Sequence, residues 1–167
     1  MRAVALALLL AGPAAAQDAS QDGPPPFDAG PLMACLEGDG PADSCIGLAA
    51  TACMEGPDGQ TTVGMGFCLG AERDLWDDRL NTAYGEVMGR AEATDTEMAD
   101  LGSAAAPQAP ALREMQRRWI AYRDAACEYE AVRWGGGTGA GPAAAQCALT
   151  LTARQTLWLD DYLVEGR

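Results

Sequence analysis

Four residues in the C-terminal half of the chain recur at intervals of three and four positions: Gln116, Trp119, Arg123 and Cys127. This spacing stacks side chains along one face of an α-helix, so the four residues form one continuous stripe. The stripe combines an aromatic ring, a cation and a cysteine, and Asp124 follows the cation directly. The pattern therefore predicts a long helix that carries a cysteine on the same face as Trp119.

Three long helices are predicted over the last two thirds of the chain. They cover residues 68–94, the segment from Pro110 to Trp134, and residues 147–164. The run Thr94-Asp95-Thr96 predicts a stop and restart, residues 102–110 a flexible connection, and residues 135–142 a flexible glycine-rich connection. We expect an all-α, disulfide-stapled bundle of about three main helices.

Each predicted helix has a face that is suited to burial. On the first helix, acidic side chains are expected to point outward: Glu72, Asp74, Asp77, Asp78 and Glu86. The side chains expected in the core are Trp76, Leu80, Tyr84, Val87, Met88 and Ala91 on the first helix, Leu112, Met115, Trp119, Tyr122, Ala126 and Tyr129 on the second, and Leu151, Leu157, Trp158 and Leu163 on the third.

The N-terminus has the pattern of a cleavable signal peptide. Arg2 precedes a short apolar run, Gly12-Pro13 breaks it, and Ala14-Ala15-Ala16 provides the small residues that a signal peptidase requires. We assign residues 1–16 to the signal peptide and the Pro-, Gly- and Asp-rich residues 17–31 to a disordered linker. No cysteine stands at the cleavage point, so the pattern predicts a periplasmic or secreted protein that is not inserted in the membrane after cleavage.

Six cysteines are expected to form three disulfides in such an oxidising compartment. Spacing alone leaves several pairings open, and we predict that neighbours pair: Cys35 with Cys45, Cys53 with Cys68, and Cys127 with Cys147. The last pair would close a loop of about 20 residues and stabilise the fold by roughly 3 kcal/mol. Residues 32–67 then form a Cys-rich N-terminal extension with short helical turns over 32–37 and 44–55, followed by a helical domain over 68–165.

Charge and composition narrow the range of functions. The chain has 11 Lys+Arg, all of them arginine, against 24 Asp+Glu, which gives a net charge of −13. Such a chain repels nucleic acid and attracts basic proteins over long range. Histidine is absent from the sequence, which excludes His-dependent triads and His-ligated metals. No metal site, cofactor or catalytic residue is predicted.

Carboxylates leave two weaker alternatives open. A glycosidase-like pair would have to come from Glu72, Asp77, Asp78 or Glu128, although on helices these residues are typical of solvated faces and caps. Calcium binding near Asp39 and Asp43, or at Asp58, lacks the ligand count and spacing of a recognised loop.

Two of the predicted helices carry a combined motif. The first part is Glu72-x-x-x-Trp76-Asp77-x-x-Leu80-Asn81-x-x-Tyr84, and the second is Gln116-x-x-Trp119-x-x-x-Arg123-Asp124-x-x-Cys127, followed by a glycine-rich gap and Cys147. The combination resembles the lysozyme-inhibitor LprI-like family over residues 68–163. One departure is Gln155, which stands where the family usually has an arginine three residues after the threonine of the last helix.

The resemblance implies an exported, largely helical bacterial protein that binds lysozyme and blocks its hydrolysis of peptidoglycan. Lysozyme or another basic protein is the expected partner. The alternative is a structural or stress protein of the envelope that binds a different partner and is not an enzyme. Among possible contact elements, the exposed loop Gly135-Gly136-Gly137-Thr138-Gly139 is our candidate binding loop, because loops on rigid scaffolds often insert into clefts.

The shared motif also has a structural interpretation. Trp76, Leu80, Tyr84, Trp119 and Tyr122 are expected in the core, because facing aromatic stripes hold helical bundles together. Four polar residues are expected to form a buried network that joins the helices, with Arg123 donating to a carboxylate such as Asp77 or Glu72. These four are Asn81, Gln116, Arg123 and Asp124.

The signal-peptide assignment makes a direct prediction. When the full chain is expressed in a bacterium, the exported protein is expected to begin at Gln17, because the small residues at 14–16 end the apolar run. Intact mass and N-terminal sequencing of the periplasmic and medium fractions check this. A protein that keeps Met1 in those fractions would contradict the assignment.

Overall fold

Three long helices form the body of the protein: α3 (Thr62–Asp100), α4 (Gln108–Val132) and α5 (Ala140–Glu165). The structure is a computed structural model that describes residues 23–165, so the predicted signal peptide and the first part of the predicted linker lie outside the described residues. The described elements are all helical, which confirms the predicted fold class. Within this range, none of the helices combines the length and apolar character that a membrane crossing needs.

Short helices precede this body and are stapled to it. They are α1 (Gly30–Leu36), a 3-10 helix (Ala42–Cys45) and α2 (Leu48–Met54). One disulfide, Cys35–Cys45, ties α1 to the 3-10 helix, and a second, Cys53–Cys68, ties α2 to the first turns of α3. Together with Cys127–Cys147 between α4 and α5, these are the three pairings predicted from the sequence.

The long helices run up, down and up. Cross-helix contacts fix the directions: Thr156 of α5 donates to the carbonyl of Trp76 on α3, and Arg79 lies 3.8 Å from Asp160. The residue numbers of the contacting pairs rise together on the two helices, so α3 and α5 are parallel. Cys127 bonds to Cys147 and Gln116 contacts Gln155, so residue numbers fall along α4 as they rise along α5 and these two helices are antiparallel. Short connections at opposite ends of the bundle are the natural result.

Two apolar clusters hold the helices together. In the first cluster, Leu32, Ala49 and Ala50 from the N-terminal elements pack with Trp76 and with Leu149 and Ala153 of α5. The second cluster joins α3, α4 and α5 through Leu80, Ala83, Leu112 and Leu159. The N-terminal elements therefore complete the core over the first half of α3, which α4 and α5 alone do not cover.

The predicted break at Thr94-Asp95-Thr96 is wrong, because α3 continues to Asp100. Thr96 donates its hydroxyl to the carbonyl of Glu92 within the helix. The Asp95 carboxylate instead accepts from the backbone N–H of Gln108 at 2.6 Å and of Ala109 at 2.9 Å. Residues that usually cap a helix thus lie inside the last two turns of α3, and one of them, Asp95, caps the start of α4.

The predicted helix bounds also differ at other ends. Helix α3 begins at Thr62, six residues before Cys68, where the Thr61 hydroxyl accepts from Gly64 N–H as an N-cap. Helices α4 and α5 begin at Gln108 and Ala140, with Pro110 and Pro142 in their first turns, where proline is tolerated. The predicted glycine-rich connection is therefore shorter than expected.

The predicted core faces of α4 and α5 are partly wrong. Tyr122 is 60% exposed, Tyr129 65% and Trp158 52%. On α4, Leu112 is buried as predicted, and the other buried side chains are Ala109, Gln116 and Cys127. These residues form the buried face of α4 because Cys127 bonds to Cys147 and Gln116 bonds to Gln155, and both contacts turn that side of α4 toward α5.

Asp95 provides a test of the cross-helix cap. Asp95→Ala is expected to lower the free energy of unfolding by about 1 kcal/mol, because two N–H groups at the start of α4 lose their acceptor. Urea unfolding followed by circular dichroism measures the change. Glu97→Ala removes an exposed carboxylate from the same turn and is expected to shift stability by less than about 0.5 kcal/mol. Equal stability of the two variants would contradict the capping role.

Candidate functional site

Glu72 is the most buried polar residue of the shared motif, and its predicted outward orientation is wrong. Its side chain is 0% exposed. One carboxylate oxygen accepts from Gly47 N–H at 2.6 Å and from the Trp76 indole at 3.1 Å, and the other accepts from Ala50 N–H at 2.7 Å. Gly47 has a φ of 92°, a left-handed conformation that glycine adopts readily. Glu72 is therefore a structural anchor between α2 and α3, and its oxygens are already engaged.

A second polar contact lies between α4 and α5. Gln155 donates its amide to the side-chain oxygen of Gln116 at 3.1 Å, and both residues are buried. At the next residue of α5, the buried Thr156 hydroxyl donates to the Trp76 carbonyl at 3.0 Å. The buried face of α5 is thus polar in its centre, and Gln155, the departure from the family pattern, is part of that interior.

Arg123 does not form the predicted contact with Asp77 or Glu72. Its guanidinium bonds to the adjacent Asp124 at 2.8 Å and lies 5.1 Å from the centre of the Trp119 ring. Asn81 donates to Asp77 at 3.1 Å on the exposed side of α3. The four polar motif residues therefore do not meet in one network; Gln116 alone among them joins two helices.

The apolar residues that the motif analysis placed in the core differ in their burial. Trp76 and Leu80 are buried, whereas Tyr84 and Trp119 are half-buried and pack on the second cluster. Tyr122 lies on the surface, against the prediction. The shared motif consequently has two parts: Glu72, Trp76, Leu80, Gln116 and Cys127 pack in the interior, whereas Asn81 and Asp124 are exposed.

An acidic groove lies between α3 and α5, lined by Asp78, Glu86 and Asp160 with Arg79 beside them. Burial raises the pKa of the Asp160 carboxyl; Arg79 opposes this shift, and Asp161 and Glu86 add to it. A raised pKa means that the folded state binds this proton more tightly than the unfolded state. The contribution of Asp160 to stability is therefore present at low pH and is lost as the pH rises through the raised pKa.

The predicted binding loop forms the tip of the α4–α5 hairpin. Gly135 and Gly136 have φ values of 57° and 85°, which let the chain reverse in a tight turn. Gly137 N–H donates to the Trp134 carbonyl at 2.9 Å, and Ala140 N–H donates to the Gly137 carbonyl at 3.1 Å. Residues 135–138 are exposed. The loop is a hydrogen-bonded turn that is tethered by the nearby Cys127–Cys147 disulfide.

Beside this loop, α4 and α5 enclose a surface groove of about 870 Å³, which we call the α4–α5 groove. Tyr122 and Trp134 line it, and both rings are more than half exposed. The sequence did not predict this site, because Tyr122 was assigned to the core. The signal that could have revealed it is Trp134, an aromatic residue at the end of a helix next to a glycine run.

Comparisons with known proteins agree with the resemblance. The family model "Lysozyme inhibitor LprI" matches residues 53–159. An uncharacterized protein of Rhizobium meliloti (strain 1021) is 30% identical over 122 residues, which is 71% of this chain and 88% of the relative. No solved structure matches the chain. The family match begins at Cys53, within the predicted N-terminal extension.

Glu72 can be tested by substitution. Glu72→Ala is expected to lower the free energy of unfolding by about 3 kcal/mol, because three buried or half-buried N–H donors lose their acceptor. Glu72→Gln keeps one acceptor oxygen and is expected to cost roughly 1 to 3 kcal/mol. Urea unfolding of the oxidised protein gives both values.

Glu86→Gln, an exposed change on the same helix, is the matched control and is expected to stay within about 0.5 kcal/mol of the wild type. If Glu72→Gln were as stable as this control, Glu72 would not anchor α2.

Proposed function

Because this chain belongs to the lysozyme-inhibitor LprI family, we propose that it binds a lysozyme and blocks the hydrolysis of peptidoglycan. The family match, which spans residues 53–159, is the observation that carries the proposal. We also propose that the protein acts outside the cytoplasm, in the periplasm or after secretion. Three disulfides support this location, since disulfides persist in oxidising compartments.

The distribution of charge supports a basic partner. Apart from Arg2 and Arg167, which lie outside the described residues, all arginines except Arg90 lie within ion-pair distance of a carboxylate. Arg90 donates to the Leu163 carbonyl. Most of these pairs are on the surface, where each contributes little to stability but cancels a positive charge.

The carboxylates that outnumber the arginines keep the surface strongly negative, in line with the net charge of −13. Many lysozymes are strongly basic, so the two proteins attract each other before contact. This steering acts over about 8 Å at physiological ionic strength and speeds the encounter. It does not by itself define which surface binds, so a contact element is needed as well.

The tip of the α4–α5 hairpin is the proposed inhibitory element. Residues 135–138 project from the end of the bundle, and the Cys127–Cys147 disulfide fixes the helices on either side. A narrow turn on a rigid base loses little conformational entropy when it enters a cleft. Blocking of the lysozyme cleft by this turn would prevent the glycan from entering.

A peptidoglycan-clearing assay tests the function. The oxidised protein from Gln17 is expected to inhibit at least one of the c-type, g-type and i-type lysozymes at near-equal molar ratio. Inhibition is expected to weaken between about 10 mM and about 150 mM ionic strength and to remain measurable, because steering is screened while direct contacts persist.

An acidic protein of similar size and charge is the control for non-specific binding. Inhibition no stronger than that of the control, with every lysozyme type, would contradict the proposed function. The family assignment would stand, and the alternative of a different envelope partner would replace lysozyme.

The contact element is tested by adding a cation to it. Thr138→Arg is expected to weaken inhibition roughly tenfold, because it places positive charge and bulk on the turn that meets a basic protein. Ala104→Arg adds the same side chain to the exposed connection at the opposite end of the bundle and serves as the matched control. Equal inhibition by the two variants would locate the contact elsewhere.

A further inference from the structure

The α4–α5 groove has a floor of small side chains. Ala126 of α4, Ala143 of α5 and Cys147 of the disulfide line it. Small residues keep the two helices from filling the space between their outer rims, and the disulfide fixes their separation. The groove is therefore a permanent feature of the hairpin and does not depend on the movement of a lid.

Aromatic rings stand at the two ends of this groove. Tyr122 is 60% exposed and Trp134 is 55% exposed. They are 12 positions apart along α4 and its C-terminal turn, which corresponds to roughly 18 Å at the rise of an α-helix. This separation of the two positions along the helix axis makes the groove elongated, which suits a ligand with several rings in a row.

The Trp134 ring packs against Gly139 of the loop. A Cβ added to Gly139 would lie only 2.2 Å from a carbon of the Trp134 ring, so the ring rests directly on the backbone of the loop. Any other residue at position 139 would push the ring away. This contact limits the rotation of an exposed tryptophan and prepares a flat, apolar platform at the rim of the groove.

The polar groups of the groove carry no net charge. Arg133 donates to Glu130 at 2.8 Å, so the cation and the anion on this wall neutralise each other. This bond uses one of the five donors of a guanidinium. On the facing wall, the Thr150 hydroxyl donates to the Gln146 carbonyl at 2.9 Å and accepts from the Gln146 amide at 3.3 Å, which leaves the Gln146 side-chain oxygen and its second amide N–H for a ligand. The groove thus offers several donors and acceptors in a protein whose remaining surface is acidic.

We propose that the α4–α5 groove binds a neutral carbohydrate oligomer. A pyranose ring presents a face of C–H groups, which pack on the electron-rich face of an aromatic ring, and an edge of hydroxyl groups, which bond to amide, carboxylate and guanidinium groups. Both kinds of partner lie in this groove, the aromatic rings at its ends and the polar groups between them.

Other ligand classes fit the groove less well. An acyl chain would remove water from the Glu130–Arg133 ion pair and from the Gln146 side chain and would offer them no hydrogen bond in return, which is costly. An anionic ligand such as a nucleotide is repelled by the net charge of −13. A basic peptide would have to compete with Arg133 for Glu130. The inference rests on the lining of the groove alone and does not depend on the proposed lysozyme inhibition.

Titration of the oxidised protein with neutral oligosaccharides tests the proposal. The probes are the trimer and tetramer of β-1,4-linked N-acetylglucosamine and maltotetraose, followed by ¹⁵N-edited NMR and by calorimetry, with no lysozyme present. Binding of at least one probe is expected to be saturable. It is expected to shift the Trp134 indole signal and the Gln146 amide signal, and to leave the Trp158 indole signal in place.

Variants locate the site. Trp134→Ala and Tyr122→Ala are each expected to weaken binding roughly tenfold, and Gly139→Ala is expected to weaken it by displacing the Trp134 ring. Trp158→Ala removes an equally exposed tryptophan from α5 outside the groove and is expected to bind as the wild type does. Dispersed NMR spectra establish that each variant is folded.

Three outcomes would overturn the proposal: no binding of any probe by the folded wild type, binding that Trp134→Ala and Tyr122→Ala leave unchanged, or shifts confined to residues outside the groove. Because these measurements contain no lysozyme, their failure does not bear on the proposed inhibition. Conversely, a protein that fails the clearing assay can still bind the oligosaccharides.

Discussion

The carboxylate of Glu72 is the interaction on which the fold depends most. It lies in the interior with no arginine beside it among the described residues, and N–H groups alone satisfy it: those of Gly47 and Ala50 and the indole of Trp76. Two of these donors belong to the N-cap residue and the first turn of α2, where the N–H groups have no acceptor within the helix and favour a negative charge. One side chain thus positions α2 and the Trp76 ring at the same time.

The position that Glu72 gives to α2 also determines how the first apolar cluster packs. With α2 fixed, Ala49 and Ala50 close over Trp76, and the Cys53–Cys68 disulfide then joins two segments that already lie together. Leu149 and Ala153 of α5 complete the same cluster. The short N-terminal helices could not bury this surface alone, since a segment of that size has too small a core without staples.

The sequence predicted the three main helices and the all-α class because both depend on local spacing; the disulfide pairs followed from the added assumption that neighbouring cysteines pair. Burial on α4 was harder to predict, since a period of three to four residues fits two neighbouring stripes, one through Gln116 and Cys127 and one through Tyr122 and Tyr129. Only contacts with α5 select between them. Glu72 and Asp95 were misassigned for a related reason: their partners, at positions 47, 50, 108 and 109, are distant in sequence, so no local pattern reveals them.

The contacts with α5 that decide which face of α4 is buried also explain why aromatic rings line the α4–α5 groove. The Cys127–Cys147 bond and the Gln116–Gln155 contact turn the polar and small side of α4 inward, so Tyr122 must face outward. A buried amide pair adds little net stability over an apolar contact, but it is sensitive to register, because each amide needs its partner opposite. A helix turned by one position would separate Gln116 from Gln155 and would move Tyr122 away from the groove. The register that the interior polar contact requires is therefore also the register that exposes the ring, and the arrangement of the surface follows from that of the core.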